Sequence, residues 1–382
     1  MAKGDKGGKK DKPSVRKRGG QKKRNKKSNR YGYVYDQRKG TWTARDKAEE
    51  EFGRTLTRGL DKERVDAELA VMNHCGKRGP PFLIAPSVIV FLMRLKEFLN
   101  KSYRVIAGMV KEQLEPLGIY CPTYSSARKL AERYMGTEEG MKIMEKASEL
   151  ADAVFKEILR YTDLRVPHEI EDAELMTARV VPDSSGGRPR RVAVDGSGQT
   201  LMSTGAWKRR KWGGSSGKFA HQHAMVDIDT LEPIAFLTAS DKVGDAKVLR
   251  ILLEAALGGG HNIKKVFGDS SYDTFYNWEA VTGKKIEFVV SLKPNAKKGL
   301  DSFERNEEIG IVDTIGRELW ATLFGYGRRW LVEVFFSVLK KVFGDSVHAH
   351  VFGMIAKCMD VKYSLYYERQ KMIRRHLEGL TN

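Results

Sequence analysis

The chain has 382 residues, of which 41% are hydrophobic, so two or three domains with apolar cores are expected. Its formal net charge of +19 favours a polyanionic partner, nucleic acid before a membrane. The longest apolar run, residues 82–93, is too short to span a bilayer and contains Pro86, and the N-terminus lacks the apolar core of a signal peptide.

The first thirty residues carry much of the charge. Residues 1–30 hold 14 Lys or Arg and 2 Asp, a net charge of 14 − 2 = +12, and no aromatic residue. This composition predicts a disordered tail. The tail could tether DNA without regard to sequence, because its cations release counterions from phosphates. The alternative is a tail that only increases solubility.

Residues 31–165 predict a helical domain. The aromatic and polar segment 31–42 indicates a short hairpin or an extended arm, and a Gly- and Pro-rich break follows at 76–81. Helices are predicted over 44–72, 86–99, 102–114, 124–135 and 137–162. The pair 102–114 and 124–135 fits a helix-turn-helix segment that presents Arg128, Lys129 and Arg133 to DNA. A purely structural helical bundle fits the same pattern.

Beyond the turn-rich segment 182–189 the pattern changes to strands. Strands are predicted over 191–195, 219–228, 233–238, 264–268 and 285–292, with helices over 246–257, 274–281 and about 348–378. We expect a polar loop between the fifth strand and a helix that begins at Tyr326. Three antiparallel strands followed by helix, strand, helix and strand is the order of a ribonuclease H-like fold. Residues 166–382 are therefore predicted to form an α/β catalytic domain with a mixed five-stranded sheet.

The polar residues of the helix from Tyr326 follow the pattern Y-x2-R-x3-E-x6-K, which comprises Tyr326, Arg329, Glu333 and Lys340. At about 100° per residue these side chains share an arc of roughly 60°. The residues between them are mostly apolar, so the pattern predicts a largely buried helix with one charged stripe. Such a stripe costs free energy when buried unless something binds it. The alternative is an amphipathic helix whose charged side faces water.

The stripe resembles the signature of the DDE transposases of prokaryotic insertion sequences, in which the Glu is the last of three metal-binding carboxylates. The resemblance requires two upstream aspartates at strand ends. Asp195 and Asp269 both follow short apolar runs, with gaps of 269 − 195 = 74 and 333 − 269 = 64 residues. Tyr272 matches a family tyrosine three residues after the middle Asp, whereas Gly196 replaces the Ser or Thr of many relatives.

The resemblance implies a mechanism as well as a family. Asp195, Asp269 and Glu333 would bind two Mg²⁺ or Mn²⁺ ions, Arg329 and Lys340 would hold phosphates of the transposon end, and Tyr326 would position a base or sugar. The expected partner is double-stranded DNA, both terminal inverted repeats and target, bound by a homodimer that acts by cut-and-paste transposition. The expected location is the prokaryotic cytoplasm, at the nucleoid.

A basic segment between the first two predicted strands is a further DNA-binding candidate. Trp207 and Trp212 frame four cations, which are Lys208, Arg209, Arg210 and Lys211. Aromatic and basic side chains together indicate a grip on the DNA backbone. The alternative is an ordinary solvated hairpin.

Other polar residues are assigned to structure. His221 and His223 share one strand face at a metal-like spacing, but no third ligand lies nearby in the sequence, so packing or support of the active site is expected for His223. Asp245 is predicted to cap the helix 246–257, and the alternative is a residue that supports the active site from behind its ligands. Asp227 and Asp273 are expected to be structural. The cysteines Cys75, Cys121 and Cys358 are far apart and form no C-x2-C pair, which indicates neither a zinc site nor disulfides.

Two other functions remain open. A ribonuclease H-like nuclease or resolvase would share the three carboxylates without needing the Tyr-Arg-Glu-Lys stripe. A domesticated, non-catalytic DNA-binding regulator would need neither the three carboxylates nor the stripe. The presence of Asp195, Asp269 and Glu333 argues against this function. The glycine-rich stretches at 185–187 and 258–260 lack the P-loop pattern, so no ATP dependence is expected.

Overall fold

The computed structural model describes residues 38–57, 60–74, 82–136, 162–164, 176–183, 185–201, 219–240, 243–299, 302–349 and 352–379. The basic tail 1–30, the segment 207–212 and nearly all of the helix predicted over 137–162 lie outside these residues. In the described part of the chain, no helix is both long and apolar enough to cross a membrane.

The described residues between 38 and 136 are mostly helical. The helices are α1 (Arg38–Thr57), α2 (Lys62–His74), α3 (Pro86–Leu99), α4 (Tyr103–Leu114) and α5 (Tyr124–Gly136). The predictions for α3, α4 and α5 are confirmed to within one residue at each end. The hairpin or arm predicted over 31–42 is wrong at 38–42, because these residues begin α1.

The single helix predicted over 44–72 is also wrong, because the chain forms α1 and α2 instead. Asp61 begins the second helix: its carboxylate accepts a hydrogen bond from the Glu63 amide at 3.2 Å, and its carbonyl accepts one from the Val65 amide at 3.0 Å. A side chain that satisfies free amides in this way favours a helix start over a continuous helix.

An eight-stranded sheet follows. Its strands are β1 (Thr162–Leu164), β2 (Met176–Val180), β3 (Pro189–Leu201), β4 (Phe219–Asp227), β5 (Pro233–Ser240), β6 (Asn262–Gly268), β7 (Glu287–Val290) and β8 (Ser346–Val347). The strand order is β1-β2-β5-β4-β3-β6-β7, and β8 pairs with β3. Strand β6 is parallel to β3 and β7, whereas β4 is antiparallel to β3 and β5.

All five predicted strands are present and adjacent in the sheet, but the predicted strand count is too low. The additional strands β1, β2 and β8 are only 3, 5 and 2 residues long, too short for a clear alternating pattern. Strand β3 extends to Leu201 rather than ending at Asp195, because β4 pairs with it as far as Thr200.

The remaining helices cover the sheet. They are α6 (Leu249–Gly258), α7 (Phe275–Thr282), α8 (Phe303–Ile315), α9 (Arg317–Leu323), α10 (Leu331–Phe343) and α11 (Phe352–Glu378). Helices α8 and α9 occupy the stretch predicted to be a polar loop. Ser302 begins α8 by accepting a hydrogen bond from the Arg305 amide, which explains why this polar sequence is helical.

Two apolar cores lie on opposite faces of the sheet. Val192 and Val194 of β3 pack with α6 and α7 in one core, whereas Ala193 packs in the other with α10, α11 and the N-terminal helices. Successive residues of a strand point to opposite faces, so β3 contributes to both cores.

Helix α11 connects the two halves of the chain, because it packs on α1 and α3 as well as on β5. Arg94 of α3 donates two hydrogen bonds to Glu368 of α11, at 2.8 and 2.7 Å, within this buried contact. The division predicted between residues 31–165 and 166–382 stays a prediction.

Candidate active site

Asp195 and Asp269 lie side by side because β3 and β6 are parallel neighbours. Val192 pairs with Val266, and Ala193 pairs with Phe267. Asp195 lies two residues after Ala193, and Asp269 lies two residues after Phe267. The carboxylates are held by backbone amides. Asp195 accepts a hydrogen bond from Gly196, and Asp269 accepts one from Ser271, both at 2.8 Å.

Glu333 joins the pair through Arg329. The Arg329 guanidinium donates one hydrogen bond to Oδ2 of Asp195 at 3.2 Å and another to Oε1 of Glu333. The third carboxylate, 138 residues from the first in sequence (333 − 195), is thus one side chain away from it in space. The structure brings Asp195, Asp269, Glu333 and Arg329 into one cluster, called the carboxylate site below.

The Tyr-Arg-Glu-Lys stripe differs from the predicted buried helix in two respects. Tyr326–Trp330 is a 3-10 turn, and the α-helix begins only at Leu331. The stripe is also partly open to solvent, since the Glu333 side chain is 54% exposed, whereas Tyr326, Arg329 and Lys340 are half-buried. Helix α10 buries the opposite face through Val332, Phe335, Phe336, Leu339 and Phe343.

Burial raises the pKa of the Asp195 carboxyl above its usual value. The neighbouring carboxylates Asp269 and Asp245 add to this rise, whereas the Gly196 amide and the Arg329 guanidinium oppose it. The ionised form of Asp195 is therefore unfavourable in the folded protein. A further cation among these oxygens would relieve the repulsion, and three carboxylates are the donor set that Mg²⁺ or Mn²⁺ prefers.

Tyr326 supports Arg329. Its ring packs on Trp320 of α9, with ring centroids 5.2 Å apart. Burial raises the pKa of the Tyr326 hydroxyl, although interactions with Arg329 and a hydrogen bond with Ser291 oppose the rise. This packing against protein leaves the predicted contact of Tyr326 with a base or sugar untested.

The other predicted DNA-binding residues lie elsewhere on the described helices or outside the described residues. Lys340 is seven residues beyond Glu333 on α10, about two turns along the helix. Arg128 and Lys129 are exposed on α5, where Arg128 pairs with Glu132 at 3.6 Å. The Arg133 guanidinium lies 5.9 Å from the centre of the Phe82 ring. Trp207, Lys208, Arg209, Arg210 and Lys211 lie outside the described residues.

A second cluster of polar side chains lies on the other face of β3, and sequence reasoning missed it. His223 and His221 of β4 are opposite Gly196 and Gly198. Oδ1 of Asp245 lies 3.1 Å from Nδ1 of His223 and 3.7 Å from Nε2 of His221. We call these three residues the histidine cluster. Asp245 is a potential third metal ligand that is close to the histidines in space but not in the sequence.

The prediction that Asp245 caps the helix 246–257 is wrong. Asp245 lies in a 3-10 turn, Asp245–Lys247, and α6 begins at Leu249 with Val248 at its cap position. The Asp245 side chain points to the histidines instead of the helix amides. The pairing partner is 22 residues away in sequence (245 − 223), so no local pattern could have identified it.

Gly196 makes room for the histidine cluster. A Cβ atom at this position would lie 2.3 Å from Oδ1 of Asp245 and 2.8 Å from Nε2 of His221. Real Cβ atoms essentially never come so close to other atoms, so the side chains of Asp245 and His221 would have to shift. Glycine at this position therefore allows both side chains to approach β3 as they do.

Protonation within the histidine cluster follows from its contacts. The polar contact with His223 lowers the pKa of Asp245, so this carboxyl is anionic at neutral pH. Burial lowers the pKa of His223, so its imidazole is neutral there. Both groups are in the protonation states that metal binding requires.

Asp227 and Asp273 are structural, as predicted. Asp227 is fully buried and accepts a hydrogen bond from Arg190 at 2.7 Å. Asp273 accepts hydrogen bonds from Arg305 at 2.7 Å and from the Trp278 indole at 3.0 Å. These pairs hold the ends of strands and loops together.

Residues 186–353 match the family model described as "Transposase DDE domain". This span contains Asp195, Asp269 and Glu333, and the match supports a DDE transposase. The comparison with curated proteins finds no match. Among solved structures, a piggyBac transposase synaptic complex with hairpin DNA aligns at 8% identity and a TM-score of 0.37, covering 89% of this chain and 80% of that chain.

Proposed function

We propose that this protein is a DNA transposase that binds the terminal inverted repeats of a prokaryotic insertion sequence and moves it by cut-and-paste transposition. The observation that carries the proposal is the carboxylate site. Asp195 and Asp269 each lie two residues beyond the last paired residues of the parallel strands β3 and β6, and Arg329 links Asp195 to Glu333. The match of residues 186–353 to a transposase DDE domain supports the same function.

The fold proposed for the catalytic part is ribonuclease H-like. The five central strands have the order β5-β4-β3-β6-β7, in which β3, β4 and β5 are antiparallel and β6 and β7 continue parallel to β3. This order supports the proposal. The helices α1 to α5 would form a DNA-binding domain, with α4 and α5 as its helix-turn-helix-like segment.

Asp195, Asp269 and Glu333 would bind two divalent ions, Mg²⁺ or Mn²⁺. Their oxygens fit hard cations, and the raised pKa of Asp195 indicates a cluster that gains from added positive charge. When bound, such ions make a water or a 3′-hydroxyl nucleophilic and stabilise the leaving oxygen of an in-line phosphoryl transfer.

The protein's own groups prepare this chemistry. Backbone amides of Gly196 and Ser271 fix the two aspartates before any ligand arrives. Arg329 holds Asp195 and Glu333 near each other, and its planar guanidinium has further N–H groups for a DNA phosphate. Tyr326, packed on Trp320, keeps the backbone of the 3-10 turn in place behind Arg329. Lys340 would add a second phosphate contact along α10.

The remaining parts of the proposal concern the DNA and the cell. The tail 1–30 and the segment 207–212 would hold DNA backbone through their cations. Exposed Arg128 and Lys129 on α5, with Arg133, would face the terminal repeat. A homodimer would bring two transposon ends together, in the cytoplasm at the nucleoid.

The test is a nicking assay on plasmids with and without the DNA that flanks the coding sequence. Glu333→Gln keeps the side-chain volume and removes the charge, so we expect Mg²⁺-dependent nicking to be abolished while binding to the flanking DNA is kept. Glu307→Gln on the exposed side of α8 is the matched control and should nick normally.

Different outcomes support different functions. Binding without nicking by the unaltered chain, in Mg²⁺ and in Mn²⁺, would favour the domesticated regulator. Nicking without joining of pre-cleaved 3′ ends to a target plasmid would favour a nuclease or resolvase. Unchanged nicking by Glu333→Gln would contradict the assignment of the carboxylate site.

A further inference from the structure

The histidine cluster has the features of a metal site separate from the carboxylates. One ligating atom each of His221, His223 and Asp245 lies within 4.8 Å of the other two. Ligands bound at about 2.1 Å around a tetrahedral ion are roughly 3.4 Å apart. The measured separations of 3.1 Å and 3.7 Å from Oδ1 of Asp245 to the two imidazoles bracket that value.

The imidazoles are oriented for ligation. Nδ1 of His221 lies 3.0 Å from the Val243 carbonyl, which can only accept a hydrogen bond, and the other ring nitrogen, Nε2, is the one turned toward Asp245. A hydrogen bond from the far ring nitrogen to a carbonyl is the usual support of a metal-binding histidine. The His221 ring also packs on that of His223, with centroids 4.0 Å apart.

His223 makes few polar contacts. It is completely buried, and its Nδ1 lies 3.1 Å from Oδ1 of Asp245. Among the described residues, its Nε2 has no hydrogen-bond partner. Burying polar groups costs free energy, and a bound cation would interact with the imidazole of His223 and the carboxylate of Asp245 at the same time.

We propose that His221, His223 and Asp245 bind one divalent transition-metal ion of the Zn²⁺ class. Two imidazole nitrogens and one carboxylate suit Zn²⁺ or Co²⁺, whereas Mg²⁺ prefers oxygen ligands. The side chains of His221 and Asp245 are 19% and 29% exposed, which leaves room for an ion to enter and for water as a fourth ligand.

The ion would act as a clamp rather than a reactant. It would join β4 to the turn Asp245–Lys247 directly behind Gly196, the residue whose amide holds Asp195. The site is therefore a positioning device on the opposite face of β3 from the carboxylates. It goes beyond the proposed function and does not depend on it.

The test uses the full chain without a histidine tag. Equilibrium dialysis with Zn²⁺ should give one ion per chain that a large excess of Mg²⁺ does not displace, and Co²⁺ should give visible absorption bands typical of a nitrogen-containing site. His221→Gln and Asp245→Asn should each weaken Zn²⁺ binding more than about 10-fold, since even residues that only support a ligand cost 10–100-fold. Glu333→Gln should leave Zn²⁺ binding unchanged.

Gly196→Ala provides an independent check, because it removes no ligand but crowds Asp245 and His221. We expect it to weaken Zn²⁺ binding as well, with folding verified by circular dichroism. Zn²⁺ binding that persists in both ligand variants, or that disappears in Glu333→Gln, would overturn the proposal. If the unaltered chain binds no Zn²⁺, the cluster is a hydrogen-bonded His–Asp group only, whatever the nicking assay shows.

Discussion

The two faces of strand β3 carry clusters of different chemistry within one peptide unit of each other. On one face, Asp195 joins Asp269, Glu333 and Arg329, a site of oxygen ligands and one guanidinium. On the other face, Gly196 opens a space that two imidazoles and Asp245 fill. The difference follows from the strand itself, because neighbouring residues point in opposite directions. Adjacent positions can therefore serve unrelated chemistry while remaining mechanically coupled.

The largest effect should come from the carboxylate face. Asp269→Asn removes the charge of one proposed metal ligand, and we expect Mg²⁺-dependent nicking to fall by on the order of 1,000-fold, or about 4 kcal/mol of barrier. Asp313→Asn, at an exposed position of α8, is the matched control and should change nothing. A similar loss in both variants would show that the assay reports charge or folding rather than this site.

Arg329 should affect DNA binding more than the chemical step. Arg329→Ala leaves all three carboxylates and removes a phosphate contact, so binding to flanking DNA should weaken by about 1–3 kcal/mol. Arg328→Ala is the control, because Arg328 is the neighbouring residue. Its side chain is 52% exposed, and its guanidinium lies 4.0 Å from the carboxylate of Asp229. Gel shifts over a range of salt concentrations measure both. Equal losses would assign the effect to net charge alone.

The histidine face should matter less for catalysis. Asp245→Asn removes a carboxylate that raises the pKa of Asp195 but that lies on the opposite face of β3. We expect nicking in Mg²⁺ to fall by less than about tenfold, far less than for Asp269→Asn. A loss as large as that of Asp269→Asn would mean that the two faces form one catalytic site, and the comparison between them would fail.

The smallest effect is a gain in stability. The pKa of Asp195 is raised from its usual 3.8, so the ionised carboxylate destabilises the folded state above that raised pKa, and the penalty disappears as the pH falls below 3.8. In EDTA at pH 7, Asp195→Asn should therefore melt a few degrees higher, because each kcal/mol shifts a large domain by roughly 2–4 °C.

Added Mn²⁺ should reverse the order of melting temperatures between the unaltered chain and Asp195→Asn. It should stabilise the unaltered chain more than Asp195→Asn, since the variant has lost a ligand. Thermal melts at pH 7 and near pH 4, with and without Mn²⁺, measure the whole series. A lower melting temperature of Asp195→Asn in EDTA would show that its bond to Arg329 outweighs burial and repulsion.

Elements with a strong local signal could be predicted from the amino-acid sequence alone. The helices α3, α4 and α5 and the five central strands follow hydrophobic periodicity and turn residues. The helix boundaries agree to within one residue, whereas β3 is six residues longer at its C-terminal end than predicted. The spacing of Tyr326, Arg329, Glu333 and Lys340, with Asp195 and Asp269 after apolar runs, was enough to identify the candidate carboxylates. Their role in catalysis stays a prediction.

Features that depend on distant partners required the folded chain. The short strand β8 forms because residues Thr200 and Leu201 at the end of β3 are available for pairing. Helices α8 and α9 form in a polar stretch because helix capping and packing stabilise them more than the polar composition disfavours them. The histidine cluster is the sharpest case. Its side chains come from strand β4 and from the turn after β5, which the β4–β5 hairpin brings together. The role of Gly196 becomes apparent only in the folded chain, where the Asp245 side chain lies directly against it.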